Sequence, residues 1–338
     1  MVPTPPRRRL RVLAVVTGVA AALAVAEIVL RVTHWGVWDP READYHFMKR
    51  DDQPFWVADP RHPPEHVWDG DPYESLPAGA RMTYPLNSAG LRGPEPDAFR
   101  PKLLFVGDSF AFGEGVAYED TFVARVEKLL APHGTPPLQA IDAGVPGYGT
   151  AEEAARLPDF LRDWSPKAVV LVYVPNDPIP LDHALKLESG DLLVGAPEAG
   201  GFRLLRLIAG AWRSASADRE VEDWYFSYYF GARASYWAKA RDSIDGMRRR
   251  CADAGATFGV VVFPILHRLA ARPFGRIHTV VVGACREMDV PVLDLTDTLA
   301  GTRERDLWVH PTDHHPNARA HALAARAIGR FVEDSLLR

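Results

Sequence analysis

Cysteine is nearly absent: the chain of 338 residues carries two, Cys251 and Cys285. Two thiols cannot build a disulfide-rich scaffold or a four-thiolate metal site. An excess of basic residues is also missing. Asp and Glu number 44 against 39 Lys and Arg, a formal net charge of −5, so nucleic acid is not an expected partner. No internal repeat, low-complexity tract or N-glycosylation sequon occurs. Gly113 and Gly115 loosely evoke a phosphate-binding loop, but no Gly-Lys-Ser/Thr follows them. Hydrophobic residues at 47% and charged residues at 25% exclude a disordered or collagen-like chain.

What is present starts at the N-terminus. Arg7, Arg8, Arg9 and Arg11 precede an uncharged run from Val12 to Ala26, which resumes at Ile28–Leu30 after Glu27. About 19 apolar residues at 1.5 Å per residue nearly cross a hydrocarbon core of roughly 30 Å. The arginines favour the cytoplasmic side, so residues 1–31 read as a single-pass membrane anchor with the remaining chain extracytoplasmic, in a periplasm or at the cell surface. The competing reading is a cleaved signal peptide, for which Ala24-Val25-Ala26 supplies a site. Both readings export the rest, and an oxidising compartment permits a disulfide. Cys251 and Cys285 fall near the ends of two successive predicted crossover helices, and a bridge or two separately buried thiols both fit.

Residues 32–100 show no sustained period and read as an irregular stalk and wrap-around segment. From residue 101 the pattern changes. Apolar runs at Leu103–Val106, Leu138–Ile141, Ala168–Val174, Thr257–Phe263 and Val290–Leu295 alternate with helical stretches near 120–132, 150–163, 235–254, 275–288 and 317–335. Unbroken apolar strands alternating with helices predict a parallel sheet covered on both faces. An insertion at about 178–235 separates the third strand from its helix. Its aromatic cluster from Trp224 to Trp237 is expected to pack the insertion onto the sheet, with a substrate wall as the sharper alternative.

Ligands of an open parallel sheet bind beyond the carboxyl ends of its strands. Four chemically distinct groups arrive there: Ser109 in Gly107-Asp108-Ser109, Gly147 in Val145-Pro146-Gly147, Asn176 before Asp177, and His315 in Asp313-His314-His315. A serine hydroxyl becomes a nucleophile when a base takes its proton. Ser109 fits the nucleophile, His315 the general base and then acid, and Asp313 the group that fixes the imidazole tautomer. The backbone N–H after Ser109, the Gly147 N–H and the Asn176 carboxamide fit an oxyanion hole. Competing readings make Ser109 a plain helix cap and Asn176 a turn residue. His310 and His314 are four residues apart, but they fall in a loop and lack the helical geometry of a zinc hydrolase, and no metal or cofactor is expected.

In these blocks the chain resembles the SGNH (GDSL-type) hydrolases. Leu103-Leu104-Phe105-Val106 leading into Gly107-Asp108-Ser109 is similar to their first block, Gly147 to the glycine block, Asn176-Asp177 to the Asn block, and His315 to the last block. The stretch Asn87 to Glu95 is similar to a lead-in of membrane-anchored members. The resemblance covers about residues 87–335. It implies a flavodoxin-like, three-layer, doubly wound sheet of five parallel strands ordered 2-1-3-4-5, a Ser109–His315–Asp313 triad, and an oxyanion hole from Ser109, Gly147 and Asn176. Two departures stand out: Thr312 occupies the usual Asp position, leaving Asp313 two residues before His315, and Val174 replaces a glycine two before Asn176. The implied activity is hydrolysis of O-acyl esters, O-acetyl esters among them, of a small-molecule or glycan substrate. A carbohydrate O-acyltransferase using the same triad, and a non-catalytic envelope scaffold, are the alternatives. An imidazole pointing away from Ser109 would favour the scaffold.

Overall fold

The computed structural model describes residues 7–33, 47–49, 56–58, 65–68, 80–133, 136–180, 219, 221–310 and 313–338. About half of the expected 32–100 stalk and wrap-around segment, and the greater part of the 178–235 insertion, lie outside the described residues. A 27-residue helix, α1 (Arg7–Thr33), opens the chain. Its stretch Arg11–Val29, of mean hydropathy 2.4, is long and apolar enough to cross a membrane or to act as a signal sequence. Val12, Val16, Val19, Leu23 and Ile28 each stand about half or more exposed, an apolar surface suited to lipid rather than water. Two antiparallel pairs follow: β1 (Phe47–Lys49) with β2 (Trp56–Ala58), and β3 (Glu65–Trp68) with β4 (Ala80–Thr83).

The central sheet has five parallel strands: β5 (Lys102–Gly107), β6 (Gln139–Gly144), β7 (Ala168–Tyr173), β8 (Thr257–Val262) and β9 (Val292–Asp294). Their spatial order is β6-β5-β7-β8-β9, the expected 2-1-3-4-5. Every residue of β5, β6 and β7 is buried, as strands covered on both faces require. Register is set at Leu104 opposite Ile141 on one side and Val169 on the other.

Alternation along the strands divides the core in two. Leu104, Val106, Val169, Leu171 and Tyr173 face α4 (Thr150–Trp164), α5 (221–230), α6 (Ala234–Asp253) and α7 (Gly275–Glu287). Leu103, Phe105, Val170 and Val172 face α3 (Phe122–Leu130), α8 (Thr296–Ala300) and α9 (Ala318–Ser335). The described aromatics near the insertion join the first core: Trp224, Tyr228, Tyr229 and Trp237 are buried, and Tyr229 Oη lies 2.5 Å from Tyr173 Oη.

Several short elements were not expected: the pairs β1–β2 and β3–β4 within the stretch read as irregular, the one-turn helix α2 (Ser109–Phe112), helices α5 and α8, and a hairpin of β10 (Trp308–His310) with β11 (Asp313–Pro316). Each is too short, or too uniformly aromatic, for its period to stand out. Strand β6 also runs further than its apolar core, through Asp142 to Gly144. The segment from Tyr84 to Arg100 lies on the sheet unit, where the Arg92 backbone bridges both Leu86 and Asp142. Cys251 and Cys285 end α6 and α7 as buried, unpaired thiols, and burial pushes each up to about 12.

Candidate active site

At the carboxyl end of β5 the chain turns directly into α2, with Ser109 as the first helical residue. Asp108 caps this turn: its Oδ1 accepts the Phe110 N–H at 2.8 Å. That contact corrects one expectation. The backbone N–H following the serine is committed to Asp108 and is not available to an oxyanion. Asp108 Oδ2 accepts from Asn176 Nδ2 at 3.0 Å, so one carboxylate ties the first and third strand ends together. Burial raises the Asp108 carboxyl, while the hydrogen bonds from Asn176 and Phe110 oppose the shift.

The imidazole arrives from the far end of the sequence. His315 Nε2 lies 2.9 Å from Ser109 Oγ across a separation of 206 residues. Hairpin β10–β11 brings it there, and Asn317 anchors the hairpin to α9. The Asn317 Oδ1 accepts from the Arg319 and Ala320 N–H groups, while its Nδ2 donates to the Asp306 and Trp308 carbonyls. Asp313 and His315 are two apart on β11 and therefore share a strand face. Asp313 Oδ1 accepts the His315 N–H at 3.0 Å and lies 2.6 Å from His315 Nδ1. The two-residue spacing thus reaches Nδ1 because the segment is extended. His314 falls on the other face and stacks on the Trp308 ring at 3.9 Å. Phe110 packs on the imidazole at 5.5 Å between ring centroids.

A second carboxylate, not singled out in the sequence, stands near the same ring: Glu114 Oε2 is 3.6 Å from His315 Nε2. Its only sequence signal is the flanking glycine pair. Burial lowers the His315 pKa, but the charges of Asp313 and Glu114, the Asp313 hydrogen bond and the charge of Asp108 outweigh it, and the imidazole is pushed up to about 10.

The glycine block forms a β-turn. The Tyr148 N–H bonds to the Val145 carbonyl at 3.0 Å, with Pro146 second and Gly147 third at φ 77°. Proline followed by a residue of positive φ is the type II arrangement, and glycine meets it without strain. The turn's own bond does not use the Gly147 N–H. Asn176 follows β7 and is partly buried, with its Oδ1 unpartnered among the described residues. Behind it, burial and then Asp108 raise Glu153, and burial and then Glu153 raise Asp177. His321 is buried in α9, where its Nδ1 accepts the Phe122 N–H at 3.0 Å.

Comparison with known families matches residues 105–323 to the GDSL-like lipase/acylhydrolase family. That span runs from β5 into α9 and covers more than half of the chain. Among solved structures, TesA is similar at a TM-score of 0.46 and 17% identity, over 69% of this chain and 98% of that one. A putative lipolytic protein of the G-D-S-L family from Desulfitobacterium hafniense DCB-2 gives 0.42 and 12%, over 69% and 99%. A catalytic mutant of the acetylxylan esterase Axe2 from Geobacillus stearothermophilus gives 0.44 and 15%, over 69% and 94%. No curated protein matches the chain.

Proposed function

Because the chain belongs to the GDSL-like lipase/acylhydrolase family, we propose that it is a serine esterase that hydrolyses O-acyl esters through an acyl-enzyme on Ser109, outside the cytoplasmic membrane. The observation that carries this reading is the 2.9 Å approach of His315 Nε2 to Ser109 Oγ, a hydrogen-bond span. The imidazole faces the hydroxyl, which speaks against a non-catalytic scaffold.

His315 takes the Ser109 proton as Oγ attacks the ester carbonyl carbon. The carbonyl oxygen becomes an oxyanion, held by the N–H of Ser109 itself, the Gly147 N–H and the Asn176 carboxamide. Asp313 keeps the Nδ1 proton on its own side, so Nε2 is the nitrogen that accepts. As the tetrahedral centre collapses, the C–O bond to the alcohol breaks and the imidazolium returns its proton to the departing oxygen. Water then loses a proton to His315 and attacks the acyl carbon; the bond from that carbon to Oγ breaks, the imidazolium returns the proton to Ser109 Oγ, and the acid leaves. Neither a metal nor a cofactor enters these steps. Residues 1–31 serve as anchor, 32–100 connect and wrap, and 101–338 form the hydrolase unit with its insertion at about 178–235. The apolar helix and the arginines before it support export.

The test is covalent labelling with a fluorophosphonate, followed by mass-spectrometric location of the adduct. The adduct is expected on Ser109. Ser109→Ala should lose the label and drop turnover of a short-chain aryl ester by about 10³-fold or more. Retained turnover in that variant, or an adduct elsewhere, discards the nucleophile.

A further inference from the structure

A carboxylate stands toward each nitrogen of the His315 ring. Asp313 Oδ1 is 2.6 Å from Nδ1, and Glu114 Oε2 is 3.6 Å from Nε2, the nitrogen that also meets Ser109. A serine–histidine–aspartate relay needs only the first of these. Glu114 is no loose surface residue, since it is 7% exposed.

The loop around it is built to hold it inward. Helix α2 stops after one turn at Gly113, φ 75°, and the Glu114 N–H returns to the Ser109 carbonyl at 3.2 Å. Gly115 follows at φ 78°, and a Cβ there would come 2.4 Å from Val309 Cγ1 on β10. The two glycines therefore serve a tight path against the histidine's own hairpin. The lead-in segment locks that path. The Gly115 N–H donates to Tyr84 Oη at 2.8 Å. The buried Arg92 guanidinium lies against the Tyr84 and Phe112 rings, at 4.8 and 5.0 Å from their centroids, and donates to the carbonyls of Phe112, Gly113 and Val116. An arginine with three carbonyl acceptors fixes a loop more firmly than a point charge.

We propose that Glu114 is a positioning residue of the esterase site: its carboxylate stabilises the His315 imidazolium from the Nε2 side, opposite Asp313, while the proton passes between Ser109 and the departing alcohol oxygen. This rests on the reading of Ser109 and His315 as the reacting pair. The proton taken from Oγ is the one later given to the leaving oxygen, so Glu114 itself exchanges none. The charged and titratable groups around the ring are Asp313 on β11, Glu114 after α2 and Asp108 at the end of β5, with His321 of α9 and Arg92 further off. Two carboxylates beside an imidazole favour its protonated form, so the fraction present as free base grows as pH rises. The esterase should therefore gain activity as pH rises, and removal of the second carboxylate should let it work at lower pH.

The test compares pH profiles of kcat/KM for an aryl ester in wild type and Glu114→Gln, with Ser109→Ala as the blank for spontaneous hydrolysis. The acid limb of Glu114→Gln should move down by about one pH unit, while fluorophosphonate still labels Ser109. A limb that superimposes on wild type overturns the proposal, whatever the overall rate. Retained turnover or labelling in Ser109→Ala is a different failure, that of the nucleophile itself. A measurement on the unaltered protein keeps the question answerable if the variant does not fold: an imidazole NMR titration should put His315 well above the ordinary histidine value, and one at or below about 6.5 overturns the proposal.

Discussion

Asp313 shows how local geometry decides a role at the scale of one residue. Its Oδ1 serves two partners, the His315 N–H at 3.0 Å and the Nδ1 side of the same residue at 2.6 Å. The carboxylate is thereby fixed before any substrate arrives. Asp313→Asn keeps the shape and removes the charge, and its amide can present a donor where an acceptor is required. We expect kcat to fall by about 10²–10⁴-fold with little change in KM, measured by steady-state hydrolysis of an aryl ester. A loss smaller than tenfold would reduce the relay to Ser109 and His315. Asp313 was legible in the sequence once its segment is extended, because alternate residues share a face. Glu114 was not legible, because two glycines do not say what lies opposite them.

At the scale of elements, β6 carries a buried acid whose position the apolar pattern did not disclose. Asp142 is 1% exposed, and its Oδ1 accepts the Gly144 N–H at 3.0 Å. Burial pushes its pKa up to about 7, against the opposing pull of Arg92 and the Gly144 N–H. The folded state therefore keeps a proton that the unfolded chain releases near the ordinary aspartate value. The resulting contribution is fully present below about pH 4 and is lost as pH rises through about 7. Asp142→Asn cannot titrate, so its stability relative to wild type should increase between those limits, by on the order of a few kcal/mol, and level off above them. Denaturant unfolding of both proteins at several pH values checks this, and a difference that stays constant with pH would refute it. The apolar run in the sequence spans Leu138–Ile141, and the strand itself goes on to Gly144. It continues because Asp142, Ala143 and Gly144 stay paired with Phe105, Val106 and Gly107 of β5, while the Arg92 backbone bridges Asp142 from the lead-in segment.

For the whole molecule, the two cysteines test how the layers close. Cys251 and Cys285 lie at the ends of α6 and α7 in one core cluster, yet neither is bonded to the other. Burial keeps both as neutral thiols, and a neutral thiol is a poor nucleophile. Ellman's reagent should find no reactive thiol in the folded protein and two per chain after unfolding without reductant. Addition of reductant should leave the melting temperature unchanged. An unfolded, unreduced chain with no titratable thiol would mean that the pair is oxidised.

The sequence by itself determined the five parallel strands, the helices between them, the apolar N-terminal helix and the three blocks that follow β5, β6 and β7. Each of these is written in local periodicity or in a short motif, and burial on both faces leaves an unbroken apolar run wherever it occurs. Family likeness added the strand order. Tertiary structure alone decided that the Phe110 N–H belongs to Asp108, that Glu114 stands beside Nε2, that Arg92 and Tyr84 lock the loop carrying it, and that the thiols stay apart. Those outcomes depend on contacts between segments distant in the chain. No pattern along one segment records which polar atom another segment presents to it.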